Sequence, residues 1–278
     1  PGSPILATLA HPRSPSAAVA PRIYGAGVAL MALIALAGWL AVYPFGPWLA
    51  GVMLAVYMAL ILIQPALWLV VLPALWPVID LAPWSGQIHL NESDALALAT
   101  LAGLGLRELL APPPPTLQGR APVKLRVGAL VCFGLLATAV AVATLRGLQP
   151  VPPLDAAGLV GYGTPLNSLR VAKGYVLAFA LIPFLHLAIR RDGEVALHRF
   201  AGGVTLGLGA CALGALWERM AFPGLTNFSA DYRSAALFWE MHVGGAALDA
   251  WLSMTFPFAL AHLRSARSRF GRGVALIL

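Results

Sequence analysis

The chain has 278 residues, of which 59% are hydrophobic and 10% are charged, and its mean hydropathy is +0.81. Soluble domains carry roughly 25% charged residues, so this composition excludes an ordinary soluble enzyme and predicts an integral membrane protein. The long apolar runs favour an α-helical bundle. The formal net charge of +7 does not indicate nucleic-acid binding, because the Lys and Arg residues lie between the apolar runs.

In chain order, the sequence predicts an all-α transmembrane bundle of about eight spans and the start of a ninth. Residues 1–21 are rich in Pro, Ser and Ala and are expected to form a flexible cytoplasmic tail. Residues 22–278 form the transmembrane domain, which we expect to continue beyond 278 because the last apolar run is too short to span. The predicted spans cover residues 23–43, 48–63, 67–81, 95–110, 127–145, 175–189, 200–217 and 235–263.

The third span is interrupted by Pro73 and Pro77, which predicts a kinked or partly re-entrant helix. A polar segment follows, in which Asn91 with Asp94 three residues later predicts a helix N-terminus. His89 and Glu92 lie beside this pair. The spacing H-x-x-E-x-D matches no strong metal-ligand pattern, so we predict no metal site there.

Several kinds of chemistry lack their usual sequence patterns. The chain has no P-loop, no G-x-S-x-G and no H-E-x-x-H, which disfavours a soluble-type hydrolase or ATPase. Cys132 and Cys211 both lie in apolar runs and are interpreted as small core residues. We therefore predict neither a metal nor any other cofactor.

The distribution of cations sets the orientation. With the N-terminus in the cytoplasm, five of the 18 Lys and Arg residues lie outside and the other thirteen inside, as the positive-inside rule requires. The outer segments are then 83–94, 146–172 and 218–234. The five outer cations are Arg146, Arg170, Lys173, Arg219 and Arg233.

The last predicted span carries the ionisable groups Glu240, His242 and Asp249, besides His262 near its cytoplasmic end, and is long enough to include an interfacial turn at its start. Charges at membrane depth are costly and usually face a bundle interior or a cavity, where they mark function. On a helix, His242, Gly245, Asp249 and Ser253 would share one face. The alternative is that the polar groups join neighbouring helices and the small residues allow close packing.

Arg233 and Asp231 lie just before this span, where a helix N-terminus favours anions. The planar guanidinium of Arg233 suits a diphosphate, although a headgroup anchor or a salt bridge would also explain it. Glu240 and His242 are candidates for an acid–base pair. At i and i+2 they do not face each other on a regular helix, which argues against a direct dyad.

The run D-Y-R-S-A-A-L-F-W-E-M-H-V-G-G-A-A-L-D-A-W-L-S-M-T-F-P-F-A-L resembles the core segment of the O-antigen ligase and polymerase superfamily, the Wzy and WaaL type. In that family a short outer segment with an Arg leads into a small-residue-rich helix. The basic loop R-S-A-R-S-R-F-G-R follows here as it does there, and the Pro-rich third span with its polar turn is also similar. E-M-H-V-G-G stands where many members have an N-P-N-like turn, which indicates a divergent, exopolysaccharide-type member.

The resemblance implies glycosyl transfer from an undecaprenyl-diphosphate-linked glycan at the periplasmic face of a bacterial inner membrane, without nucleotide sugar or metal. Arg233, with Asp231 and Asp249, would bind the substrate, and Glu240 and His242 would be catalytic. The implied partners are the lipid-linked glycan, membrane lipids and other membrane subunits, but no nucleic acid. The family's large periplasmic loop comes later in the chain, so we expect this sequence to be an N-terminal part of the enzyme.

A second hypothesis is a non-catalytic membrane subunit or a transporter or flippase of a larger complex. The broken third span with Asp80, and the ionisable groups of the last span, would then serve a translocation path or a proton relay. Matching broken helices in two inverted halves would favour transport. The third span has no clear counterpart of this kind.

Overall fold

The computed structural model describes residues 16–110, 127–151, 163–227, 232–238 and 246–265. Within these residues every regular element is an α-helix. The described helices are α1 (Ser16–Val42), α2 (Pro47–Ile63), α3 (Trp68–Leu75), α4 (Ala82–Ser85), α5 (Glu92–Leu110), α6 (Val127–Gly147), α7 (Asn167–Asp192), α8 (Glu194–Ala221) and α9 (Ala246–Ser265).

Four of these helices are long and apolar enough to cross a membrane: α1 from Arg22 onward, α6, α7 and α8. The apolar parts of α2 and α9 are shorter, at Pro47–Ile63 and Ala247–Ala261. The prediction of a helical membrane protein is confirmed by these four helices. α1 begins at Ser16, inside the segment that the sequence predicts to be a tail.

The helix that forms in the third predicted span is much shorter than the apolar run of residues 67–81. α3 has eight residues, which is about 12 Å of helix, against about 30 Å for the hydrocarbon core of a bilayer. Pro73 lies inside α3, and Pro77 follows its end. Because proline cannot donate a backbone hydrogen bond, the chain turns after Trp76 and forms the four-residue α4 instead of continuing as a helix.

α5 lies at the centre of the first part of the bundle, against α1, α2, α3 and α7. Its residues Glu92–Gly105 are buried without interruption. Polar bonds connect it to its neighbours: the Tyr57 hydroxyl and Thr100 Oγ1 lie 3.0 Å apart, and Arg191 donates to both carboxylate oxygens of Glu108 at 2.8 and 3.0 Å. α5 is therefore held by both apolar packing and buried hydrogen bonds.

Glycines allow α8 to lie directly against the backbone of α3. A Cβ on Gly203 would lie 2.6 Å from the carbonyl oxygen of Val70 and 2.8 Å from that of Leu69. Gly207, four residues later, is similarly close to the carbonyl oxygen of Pro73. This small-xxx-small spacing is the one that brings helix backbones together in membranes.

The contacts also fix which helix ends lie together. Lys173, near the start of α7, forms an ion pair with Asp94 at the start of α5, whereas Arg191 and Glu108 join the other ends of the same helices. α5 and α7 therefore run parallel. α8 returns antiparallel to α7 after Gly193, so the C-terminal end of α8 lies on the same face as Asp94 and Lys173. We call this the outer face.

Candidate functional site

The outer segment, residues 232–238, lies between α8 and α9 on the outer face and carries Arg233. The span predicted over 235–263 is not helical at its start, because Ala236 has φ of +52°, in the left-handed region. The described part of α9 begins at Ala246, thirteen residues after Arg233. Arg233 is therefore presented by an irregular segment, and the expectation that it immediately precedes a helix N-terminus is not met.

Glu218, near the C-terminal end of α8, holds this segment. Its side chain is 7% exposed. One carboxylate oxygen accepts hydrogen bonds from the Tyr232 hydroxyl at 2.7 Å and from the Ala235 amide at 3.1 Å. The other accepts from the same Ala235 amide at 3.0 Å and from the Ala236 amide at 2.7 Å. A buried carboxylate satisfied in this way ties the Tyr232 side chain and the backbone of Ala235 and Ala236 to α8.

The phenol of Tyr232 remains a donor in this arrangement. Loss of solvation on burial, and then the Glu218 carboxylate that accepts its hydrogen bond, raise the pKa of Tyr232 to about 12. A carboxylate stabilises the neutral phenol and opposes the phenolate. The hydrogen bond between Tyr232 and Glu218 is therefore maintained through neutral and moderately alkaline pH.

Apolar contacts fix the rest of the outer segment. Ala236 is buried in a small cluster with Cys211 of α8 and Leu248 of α9. Leu237 lies against Gly214, where a Cβ would be 2.7 Å from Leu237 Cγ. With the Glu218 hydrogen bonds, these contacts join the segment to both helices.

The Arg233 side chain does not take part in the hydrogen bonds to Glu218. Its Nη2 donates to Asp249 Oδ2 in the first turn of α9, and the two side chains are 62% and 59% exposed. The structure thus brings together two of the residues that the sequence assigns to substrate binding. Exposed ion pairs contribute only about 0–1 kcal/mol, so a more highly charged anion can displace Asp249 from the guanidinium at little cost.

An apolar cleft of about 430 Å³ opens between α3, α7, α8 and α9. Trp76, Leu185, Phe200, Trp251 and Phe258 are among its lining residues. Its volume lies within the range of roughly 300–1,000 Å³ that is usual for small-molecule sites. Of its lining side chains only Thr255 carries a hydroxyl, which donates to the carbonyl of Trp251 at 2.7 Å.

Trp251, in the N-terminal half of α9, lines the cleft. Asp249 precedes it by two residues, so the two side chains lie on different faces of the helix. The indole ring of Trp251 also contacts Phe238 of the outer segment, with ring centroids 6.0 Å apart. Among the described residues, the buried indole N–H of Trp251 has no hydrogen-bond acceptor. The outer segment that carries Arg233 therefore contacts the cleft through Phe238 and Trp251.

Three predicted site residues, Asp231, Glu240 and His242, lie outside the described residues. The shared face predicted for His242, Gly245, Asp249 and Ser253 can be followed only for the last two. Ser253 Oγ donates to the backbone carbonyl of Asp249 at 2.8 Å, an ordinary bond within α9. The acid–base pair stays a prediction.

The predicted helix start at Asn91 is confirmed. Asn91 Oδ1 accepts from the Asp94 amide at 3.0 Å, and Asp94 Oδ2 accepts from the Asn91 amide at 2.9 Å, which is a reciprocal cap. Asp94 also pairs with Lys173, and Glu92 accepts from the Leu81 amide at 3.0 Å. Over the described ranges, no group of three His, Cys, Asp or Glu side chains is arranged to hold a metal ion.

Glu218 is not recognisable as a site residue from the sequence. It lies between an apolar run and Arg219, a position that is common for residues at the membrane interface. Two of its three partners are backbone amides, which any residue type provides. The available indication was that Glu218 is an acidic residue at the end of a predicted span and is followed by the segment that carries Arg233.

By its fold, the described part of the chain belongs to the class of helical membrane proteins, with four helices able to cross a bilayer and an anchored outer segment that carries an exposed cation. No protein-family model matches the chain, and neither a curated protein nor a solved structure matches it.

Proposed function

We propose that this protein is a divergent member of the O-antigen ligase and polymerase superfamily. In this proposal it is an inner-membrane glycosyltransferase that polymerises or ligates glycan from an undecaprenyl-diphosphate-linked donor at the periplasmic face. The chain crosses the bacterial inner membrane about eight times, with the N-terminus in the cytoplasm and the outer face in the periplasm. Its partners are the lipid-linked glycan and the surrounding lipids, with other membrane subunits possible in the same assembly.

The observation that carries the proposal is that the outer segment, which presents Arg233, contacts the apolar cleft through Phe238 and Trp251. A polyprenyl diphosphate is an amphiphile with a compact, multiply charged head and a long apolar chain. Arg233 can bind two oxygens of such a head, while the cleft at Trp251 and Phe258 can take a stretch of the chain. Because the diphosphate carries more charge than the Asp249 carboxylate, it would compete successfully for the guanidinium.

The proposed reaction is a displacement at the anomeric carbon of the donor sugar. A hydroxyl of the acceptor glycan attacks the anomeric carbon of the donor sugar, and the bond from that carbon to the diphosphate oxygen breaks. The electron pair leaves with undecaprenyl diphosphate, where Arg233 stabilises the developing charge. The hydroxyl proton passes to a base, for which Glu240 and His242 are the candidates. No metal or other cofactor is needed for this step.

The test is the surface glycan profile of a strain that lacks the gene, complemented with wild type, Arg233→Ala or Arg146→Ala. Arg146 is the matched control, because it is an exposed Arg in the last turn of α6 and lies on the same side in the proposed topology. We expect wild type and Arg146→Ala to restore long-chain glycan. Arg233→Ala should reduce it by about 10²-fold or more at equal protein level, as expected for a lost group that stabilises developing charge.

Normal glycan from a well-inserted Arg233→Ala protein would rule out the role of Arg233. Unchanged glycans after deletion of the gene would rule out the glycosyltransferase and leave the membrane subunit or transporter as the function to test.

A further inference from the structure

We infer that Glu218 is a positioning residue, whose buried carboxylate holds the outer segment so that Arg233 is presented to the donor diphosphate. This inference rests on the proposed function, in which Arg233 binds that diphosphate. Glu218 itself is not expected to touch the substrate.

The hydrogen bonds of Glu218 lie on both sides of Arg233. Tyr232 directly precedes it, and Ala235 and Ala236 follow within three residues. The segment is therefore held by a side chain before Arg233 and by backbone amides after it, while the Arg233 side chain stays 62% exposed. A binding residue gains from this combination, because less conformational entropy is lost when the ligand is bound.

A carboxylate suits this task better than an amide side chain. Two oxygens accept four hydrogen bonds, and those from backbone amides to a charged acceptor are stronger than neutral ones. In Gln one oxygen is replaced by an NH₂ group, which would face a donor that it cannot accept from. Glu218→Gln keeps the size of the side chain and one acceptor oxygen, and removes the negative charge and the other acceptor.

The segment also needs an anchor, because its own conformation is unfavourable. Ala236 adopts a left-handed φ of +52° that costs a non-glycine residue about 1 kcal/mol or more. The amide of this same residue makes one of the two shortest bonds to Glu218, at 2.7 Å. The carboxylate thus stabilises the turn at its least favourable residue.

The first experiment compares Glu218→Gln with Glu194→Gln, both in the full chain in lipid nanodiscs, by hydrogen exchange of the Ala235 and Ala236 amides. Glu194 is the matched control, since it is an exposed Glu at the opposite end of the same helix. We expect about tenfold faster exchange at both amides in Glu218→Gln, and no change in Glu194→Gln. Tyr232→Phe, which keeps the carboxylate, should give a smaller increase.

The second measurement separates positioning from support of the fold. The same proteins are titrated with undecaprenyl diphosphate, and binding is followed by intrinsic Trp fluorescence. We expect the Kd to rise about tenfold in Glu218→Gln at an unchanged content of folded protein. Because Glu218 acts through Arg233, the double variant Glu218→Gln with Arg233→Ala should bind no more weakly than Arg233→Ala alone.

Unchanged exchange at Ala235 and Ala236 in Glu218→Gln would overturn the anchoring role. Faster exchange with an unchanged Kd would show that Glu218 supports the segment without positioning Arg233, and would also overturn the inference. If wild type does not bind undecaprenyl diphosphate, the proposed function fails and the positioning role fails with it. The exchange result would in that case still decide whether Glu218 anchors the segment.

Discussion

Two ion pairs of the outer face show at the residue scale how burial decides what a charge contributes. The side chain of Asp94 is 4% exposed and that of Lys173 is 21% exposed, whereas Arg233 and Asp249 are both more than half exposed. Removing one partner of a buried pair leaves the other charge poorly solvated, while an exposed partner is simply hydrated. We therefore interpret Asp94–Lys173 as structural and Arg233–Asp249 as exchangeable.

This difference predicts the effect of Asp94→Asn. The change removes the charge that neutralises Lys173 and should lower stability by about 1–3 kcal/mol, less than for a fully buried pair because Lys173 is partly exposed. Asp192→Asn is the control, because it breaks the Arg199–Asp192 pair, whose side chains are 42% and 38% exposed. That control should cost less than about 1 kcal/mol. Thermal unfolding in detergent measures both, and equal losses would contradict the structural role of Asp94.

Residue-level prediction from sequence succeeded where the partners are close in the chain. The cap formed by Asn91 and Asp94 is recognisable from residue types three positions apart. Glu218 was missed, since its partners lie 14 to 18 residues away and two of them are backbone amides. Lys173 and Asp94 are 79 residues apart in the chain. Their pairing depends on how α5 and α7 pack against each other, which cannot be predicted from the sequence pattern.

At the scale of elements, the backbones of α3 and α8 are in direct contact beside the cleft. Pro73 of α3 lines the cleft and also lies where a Cβ on Gly203 or Gly207 of α8 would be placed. The α3–α8 contact therefore sets one wall of the proposed lipid site. A shift of α3 would change the cleft without altering any of its side chains.

Gly203→Ala is predicted to destabilise the protein, because the added Cβ would lie within 3 Å of two carbonyl oxygens of α3. Overpacking of this kind costs roughly 1–3 kcal/mol. Gly202→Ala is an internal control, since a Cβ at the preceding position meets nothing within 4 Å. It should leave the thermal midpoint in detergent unchanged or slightly raised, as alanine favours helix. If Gly202→Ala lowered the thermal midpoint as much as Gly203→Ala does, the close packing of α3 against α8 would be refuted.

Helix boundaries were predictable where apolar runs end at strong breakers. The span predicted over 48–63 matches α2, which begins at Pro47 after a left-handed Gly46, and the span over 127–145 matches α6 within two residues. The third and last spans were predicted too long. Apolar composition alone cannot show that the chain turns at Pro77, or that hydrogen bonds to Glu218 hold residues 235 and 236 outside a helix.

For the molecule as a whole, the ion pairs show which helix ends lie together. Arg107, Arg191 and Glu108 lie together at one end of the bundle, and Asp94, Lys173 and the outer segment lie at the other. The count of Lys and Arg residues predicts that the first end lies in the cytoplasm. This orientation stays a prediction.

This division predicts opposite accessibility for the two ends of α8. In a protein with Cys132→Ala and Cys211→Ala, a single cysteine at Leu225 should react with a membrane-impermeant maleimide in intact cells, whereas one at Glu194 should react only after permeabilisation. Both positions are exposed, so labelling depends on the side of the membrane. The opposite pattern would reverse the proposed orientation and place Arg233 in the cytoplasm.

The continuous burial of α5 has a consequence for how the chain is made. Residues Glu92–Gly105 are buried, and among the described residues the ion-pair partner of Asp94 is Lys173 on α7, which the ribosome produces later. α1, α2 and α3 are already synthesised when α5 emerges and can cover part of its surface. The remaining side must stay sheltered, by the insertion machinery or by water, until α7 arrives. Correct integration of the first half of this protein therefore depends on a helix from the second half.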